Sequence, residues 1–247
     1  MTTTWTVTAV PCLSDNYAWL LRDATTGTVA LCDPGEAGPC LAALRAMPEP
    51  GRLDWVLLTH HHGDHIDGVA EVVAATGAKV LGAAADAHRL PKLDLAVRPG
   101  ETVPLGSGTM TVIDTPGHTR GHVALHIPEA RAALVGDTLF SLGCGRLLEG
   151  TAAEMFGSLQ RLNALPDDTL VCCGHEYTES NARFALTVEP DNAALRARAE
   201  QVRALRTKGR ATVPTTIAEE RATNPFLRAK DVAELAARRT GKDNFRG

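Results

Sequence analysis

The stretch Leu57–Gly68, LLTHHHGDHIDG, puts four histidines and two aspartates into twelve residues directly after an apolar run. The run DWVLLTH (54–60) reads as a buried strand, and GVAEVVAATG (68–77) reads as a helix stopped by Gly77. In an extended segment, residues two apart point to the same side. His60 and His62 therefore converge, while His61 points away. Gly63 permits a sharp turn, after which Asp64 and His65 lie at the N-terminal end of the helix. Two donor pairs, His60/His62 and Asp64/His65, thus face a common space, which is the geometry two neighbouring metal ions need.

Three more donors stand at strand ends far along the chain. His118 follows a Pro-Gly turn in DTPGHTRGH (114–122), Asp137 follows an apolar strand in LVGDTLF (134–140), and His175 does the same in LVCCGHEYT (170–178). Loops at strand ends are where function sits on a rigid scaffold. Five neutral imidazoles and two carboxylates suit zinc first, with iron or manganese also accommodated by hardness. Of the remaining histidines, His61 has the wrong facing and His88 reads as part of a polar helix. His122 and His126 alternate with Val123, Leu125 and Ile127, as on a half-exposed strand.

Around these donors the chain reads as a mixed α/β protein. TWTVTAV (4–10), YAWLL (17–21) and TVALCD (28–33), separated by turn residues, read as antiparallel strands. AGPCLAALRAM (37–47) is helical in spacing, and AKVLGAA (78–84) is a strand. The segments LAVRPGETVPL (95–105), GTMTVIDTPG (108–117), HVALHIP (122–128) and RAALVGDTLF (131–140) are β. TAAEMFGSLQRLNAL (151–165) is a helix opening on a Thr151/Glu154 capping box. From about Thr178 the apolar spacing turns helical, in ESNARFALTV, NAALRARAEQVRALRTKG and DVAELAARR, with the proline- and threonine-punctuated RATVPTTIAEERATNPFLR (210–228) between them. The expected organisation is a β-rich catalytic domain over 1–177 and a helical substrate-binding domain over 178–247. Strands and helices in this order suggest two sheets with helices outside.

Composition sets further bounds. The 247 residues are 44% hydrophobic and 22% charged, with a net charge of −4, so no basic excess points to nucleic acid. The opening MTTTWTVTAV lacks a basic n-region and an apolar core, and no apolar run is long enough to span a bilayer. The six cysteines fit no disulfide framework and read as small buried hydrophobes in a reducing cytoplasm. No oligomerisation face stands out, so a monomer is expected.

THHHGDH, PGHT, GDTLF and CGHEYT together resemble the metallo-β-lactamase superfamily, over essentially the whole chain. CGRLLEGTAAEMFGSLQRL, CGHEYT, NPFLR and RRTGKDNF narrow the resemblance to the glyoxalase II, or hydroxyacylglutathione hydrolase, family. The resemblance implies an αββα sandwich with a C-terminal helical domain. It implies two divalent ions, one held by His60, His62 and His118, the other by Asp64, His65 and His175, with Asp137 bridging. Asp64 and Asp137 would thereby take part in catalysis. The implied reaction is hydrolysis of S-(2-hydroxyacyl)glutathione, such as S-lactoylglutathione, to glutathione and a 2-hydroxy acid. This is the second step of methylglyoxal detoxification.

By the same resemblance Arg146, Tyr177, Arg239 and Lys242 would contact glutathione, with Arg239 and Lys242 as a partly exposed carboxylate clamp. Leu148 departs from the family pattern, since an aromatic hydroxyl often sits there. Two other readings compete: a single-iron persulfide dioxygenase of the same superfamily, and a non-catalytic metal-binding module. The C-terminal NPFLR and KDNF weigh against the first. The complete ligand set weighs against the second.

Overall fold

The computed structural model describes residues 4–247; Met1–Thr3, part of the opening segment in which no signal peptide is expected, lie outside the described residues. The chain divides into two compact units. The first runs up to Asp114 and includes Gly121–Gly136; the second comprises Thr115–Arg120 and Asp137–Gly247.

In the first unit, β1 (Trp5–Cys12) and β2 (Asn16–Asp23) form a hairpin in full register, from Trp5 opposite Asp23 to Cys12 opposite Asn16. β3 (Val29–Cys32) continues antiparallel. The chain then passes through α1 (Ala37–Arg45) to β4 (Trp55–Leu57). It continues through α2 (Gly63–Ile66) and α3 (Val69–Thr76) to β5 (Lys79–Ala83) and β6 (Leu95–Val97). β3 to β6 are parallel neighbours, so the six strands lie in chain order. Leu20, Leu31, Val56 and Val80 pack with Cys40 and Leu44 of α1 and Val69 and Val72 of α3. The residues of opposite parity, Leu21, Cys32, Leu57 and Leu81, are buried as well. Burial on both faces explains why these strands read as continuous apolar runs rather than alternating ones. The unit also holds an antiparallel run of β7 (Thr102–Leu105), β8 (Gly108–Asp114), β9 (Val123–Ile127) and β10 (Ala132–Gly136).

The expected helix after the histidine stretch is two pieces, not one. Gly68 separates α2 from α3, and a Cβ there would lie 2.6 Å from the Pro34 carbonyl oxygen, so only glycine fits that close approach. Gly77, at φ +71°, ends α3 in the left-handed conformation expected of it.

The second unit contains the short hairpin β11 (Leu139–Phe140) and β12 (Gly143–Cys144). After it come α4 (Ala152–Asn163), β13 (Leu170–Cys173), α5 (Thr178–Val188) and α6 (Ala193–Arg206). The capping box on α4 is formed in both directions between Thr151 and Glu154. Within the punctuated segment 210–228 the structure has elements the spacing did not suggest. β14 (Thr215–Thr216) pairs with β13, and α7 (Ile217–Thr223) is capped by the Thr216 hydroxyl. α8 (Val232–Asn244) closes the chain, its N-terminus capped by Asp231. No described helix is long and apolar enough to cross a membrane.

Candidate metal centre and substrate pocket

In the first unit, β4 delivers the chain into the histidine stretch. His60 and His65 are fully buried, and His60 Nε2 lies 3.1 Å from His62 Nδ1. The convergence of His60 and His62 inferred from extended geometry is therefore present. His61 turns the other way, placing Nδ1 3.2 Å from Asp86 Oδ2, where Arg89 also binds. Asp64 stands in the first turn of α2.

Two residues that the sequence did not single out orient these donors. Asp33, at the end of β3, accepts the Thr59 backbone N–H at 2.9 Å and the Thr59 hydroxyl at 2.6 Å. Its Oδ2 also lies 3.2 Å from His65 Nδ1. Such a carboxylate fixes the imidazole's orientation and leaves Nε2 for a metal. Asn16 donates to Asp64 Oδ2 at 3.0 Å and to the Asp64 carbonyl at 3.1 Å. The available signal for Asp33 was its place just past an apolar strand, the same setting as Asp137. Asn16 carries no such signal, being 48 positions from its partner.

His122 corrects the sequence reading. It is fully buried, not half-exposed, and its ring stacks on His60 with centroids 4.8 Å apart. β9 is covered on both faces except at His126, which is half-buried and whose imidazole is held below its ordinary pKa by that burial. His88 is exposed in a turn after a short 3-10 helix, not in a helix proper.

In the second unit, His118, Asp137 and His175 form one cluster. His118 Nε2 is 3.4 Å and His175 Nε2 is 3.3 Å from the same oxygen, Asp137 Oδ2. All three are buried. The His118 ring is oriented by the Arg146 carbonyl, 3.0 Å from Nδ1. The His175 ring lies flat on Tyr177, with centroids 4.6 Å apart, and edge-on to Phe140.

Imidazoles and carboxylates converging in largely buried positions, with the Asp33 carboxylate beside the His65 ring and the Arg146 carbonyl beside the His118 ring, are the donor set of a divalent metal site. In the first unit His60 and His65 bring their rings together with centroids 4.2 Å apart, Asp33 lying beside both as their support. The residues present therefore fit a metal.

The second unit also holds a cavity of about 400 Å³ that runs from His118 and Asp137 past Phe140 and Tyr177 to Arg146, Arg239, Lys242 and Arg246. Arg146 is 73% exposed. Lys242 donates to the Ser180 carbonyl and hydroxyl at 3.0 and 2.8 Å. Burial, followed by the nearby Arg239, Arg183 and Arg146 charges, pushes its amine down to about 8. Leu148 is 59% exposed.

Arg239 differs from the partly exposed clamp residue expected. It is only 6% exposed, and its guanidinium is engaged on three sides. One nitrogen donates to the Cys144 carbonyl at 2.7 Å, two donate to Asp243 Oδ1 at 2.8 and 3.1 Å, and the plane lies over the Phe226 ring. The physical reason is its place on the inward face of α8, beside Leu235 one turn earlier.

Residues 14–175 match the family model described as metallo-beta-lactamase superfamily, and residues 176–245 match hydroxyacylglutathione hydrolase C-terminus. A protein from Jannaschia sp. (strain CCS1) called hydroxyacylglutathione hydrolase is 58% identical over 94% of this chain and 89% of its own. One of the same name from Acidiphilium cryptum is 54% identical over 98% and 97%. Among solved structures, ETHE1 from Myxococcus xanthus superposes with a TM-score of 0.71 at 27% identity, over 98% of this chain and 92% of that one. The B3 metallo-beta-lactamase BLEG-1 gives 0.68 at 22%, over 90% and 99%, a likeness of fold alone.

Proposed function

Because the chain belongs to the metallo-β-lactamase superfamily, and within it to the hydroxyacylglutathione hydrolases, we propose that it hydrolyses S-(2-hydroxyacyl)glutathione thioesters, S-lactoylglutathione foremost, to glutathione and a 2-hydroxy acid. The observation that carries this is the cavity that joins His118 and Asp137 to a set of cations. Arg146, Arg239, Lys242 and Arg246 face two carboxylates, Asp137 and Asp243, so the lining is cationic before any metal is bound. Glutathione carries two carboxylates, and such a lining favours it.

We assign the metal ligands as His60, His62 and His118 for one ion and Asp64, His65 and His175 for the other, with Asp137 shared. Zinc suits this donor set first, and iron or manganese also fit. When bound, divalent ions would supply Lewis acidity toward water and toward the thioester carbonyl. The chain's own residues do the rest. Asp33 and Asn16 orient His65 and Asp64. The Arg146 carbonyl holds the His118 ring. Tyr177 and Phe140 wall the pocket beside His175. Water adds to the carbonyl carbon, the C–S bond breaks, and the sulfur leaves as thiolate. A thiol of pKa about 8.5 leaves with little help from an acid, so no proton donor to the sulfur is required.

We further propose that residues 178–247 serve as the substrate-binding domain to a catalytic domain over 1–177, and that the chain works as a cytoplasmic monomer. Its six buried cysteine thiols suit a reducing compartment. The single-iron dioxygenase reading has less support, since the highly identical relatives carry the hydrolase name.

The test is loss of thioester absorbance with S-lactoylglutathione on the purified chain, with elemental analysis of the same sample. Turnover with about two ions per chain is expected. Equal kcat/KM for S-lactoylglutathione and a short neutral thioester would refute the glutathione assignment, and one tightly held ion at full activity would refute the binuclear one.

A further inference from the structure

The hairpin β11–β12 begins two residues after Asp137 and ends two residues before Arg146, so its placement governs both. Its own ladder is minimal: Leu139 opposite Cys144 and Phe140 opposite Gly143. Its tip is strained, because Leu142 adopts φ +60°, a left-handed conformation costly for a leucine. Something outside the hairpin must hold it.

The backbone shows what does. Asn224 donates to the Phe140 and Gly143 carbonyls, each at 3.0 Å. Asn181 donates to the Ser141 carbonyl at 3.0 Å. The Leu142 N–H is taken by Glu220 Oε2 at 2.8 Å, and the Cys144 carbonyl by Arg239 at 2.7 Å. Five consecutive-zone backbone groups are thus bound by four side chains, all from the C-terminal helical segment. Those side chains are themselves tied down. Glu220 also accepts from Thr215 at 2.7 Å and from Asn224 at 2.9 Å, and Asn224 Oδ1 accepts the Phe226 N–H. The Leu142 side chain is buried among Ala182, Ala185, Leu195 and Ala199. Glu220 and Asn224 are fully buried. A carboxylate and two amides are costly to bury; Asn181 also lines the cavity, whereas Glu220 and Asn224 stand outside it.

We propose that Asn181, Glu220, Asn224 and Arg239 are positioning residues. They clamp the 139–144 hairpin by its backbone and so set Asp137 at one end and Arg146 at the other. Arg239, besides lining the cavity, holds the Cys144 carbonyl and so acts on the reaction through the hairpin as well. The inference rests on the hydrolase reading for what the hairpin positions, but not for the clamp itself.

The experiment uses the full chain loaded with Zn2+, and the variants Asn181→Ala, Glu220→Gln, Arg239→Met and Arg239→Lys. For a short neutral thioester, Asn181→Ala and Arg239→Met should lose roughly tenfold or more in kcat, because misplacement on the ångström scale is that costly, with KM nearly unchanged. Arg239→Lys, which keeps a donor for Cys144, should recover part of the loss. Amide exchange at Leu142 should quicken in Asn181→Ala, and Zn2+ affinity by chelator competition should fall. A lowered melting temperature with unchanged kcat per folded enzyme and unchanged Zn2+ affinity would overturn the proposal. Should the buried Glu220→Gln fail to fold, Asn181→Ala, which removes a single bond, decides alone. If wild type proves indifferent to the glutathione moiety, the substrate reading falls while the neutral thioester still tests the clamp. If no thioester is turned over, the Zn2+ affinity and Leu142 exchange of Asn181→Ala decide.

Discussion

Asp137 illustrates how much one side chain can carry. A single oxygen lies within 3.4 Å of both His118 and His175. Asp137→Ala should therefore disrupt binding of both ions, whereas His61→Ala should leave metal content nearly unchanged, because His61 faces Asp86. Elemental analysis finding two tightly held ions in Asp137→Ala would remove its bridging role. Lys242 makes a second residue-scale prediction. Its amine, lowered to about 8 chiefly by burial, is charged below that pH and neutral above it. The KM for a glutathione thioester should rise as pH climbs through about 8, with kcat little changed, since a group far from the reacting carbon contributes equally in ground and transition states. Lys242→Arg should abolish the rise. A wild-type KM that stays flat through this range would show that Lys242 does not meet an anionic part of the substrate.

At the scale of elements, close backbone approaches set the site. A Cβ on Gly145 would sit 1.9 Å from the Asp137 carbonyl oxygen, and the Gly145 N–H donates to Thr138 at 3.1 Å. Neither strand end can move without the other. Gly145→Ala should thus displace Asp137 and cost roughly a hundredfold in kcat, accompanied by weakened metal retention on dialysis. Full activity in that variant would mean the loop relaxes freely and that the hairpin does not govern Asp137. Gly35 stands in a similar relation to Asp64, with a Cβ position 1.9 Å from the Asp64 carbonyl. Donor loops in each unit are thus shaped by glycines that allow backbone to touch backbone.

At the scale of the molecule, the chain is acidic overall, at −4, while its cavity is lined by cations. Attraction of an anionic thioester is therefore a local effect and is open to screening. The KM should rise with salt as the Debye length shrinks below about 10 Å, and that of a neutral thioester should not. A fragment of residues 1–177 should fail to melt cooperatively, because it lacks all four side chains that bind the 139–144 backbone and the alanines that bury Leu142. A fragment that melts cooperatively and hydrolyses a neutral thioester at full rate would show the hairpin to be self-supporting.

The seven candidate donors could be picked out in the chain because metal chemistry restricts residue types and strand geometry restricts spacing. His60 and His62 two apart, Asp64 and His65 after a glycine, and three donors at apolar strand ends needed no coordinates. The capping box of α4 and the stop at Gly77 were equally local. What the sequence could not tell depended on partners distant in the chain. Asp33 reaches His65 across 32 positions, Asn16 reaches Asp64 across 48, and Arg239 reaches Cys144 across 95. The burial of His122 under His60, the break between α2 and α3, and the helix at Ile217–Thr223 were likewise outside local reach. Periodicity and propensity report a residue's neighbours along the chain. The orientation of a buried polar group is set by hydrogen bonds that must be satisfied wherever folding brings a partner, and only the tertiary structure decides which partner that is.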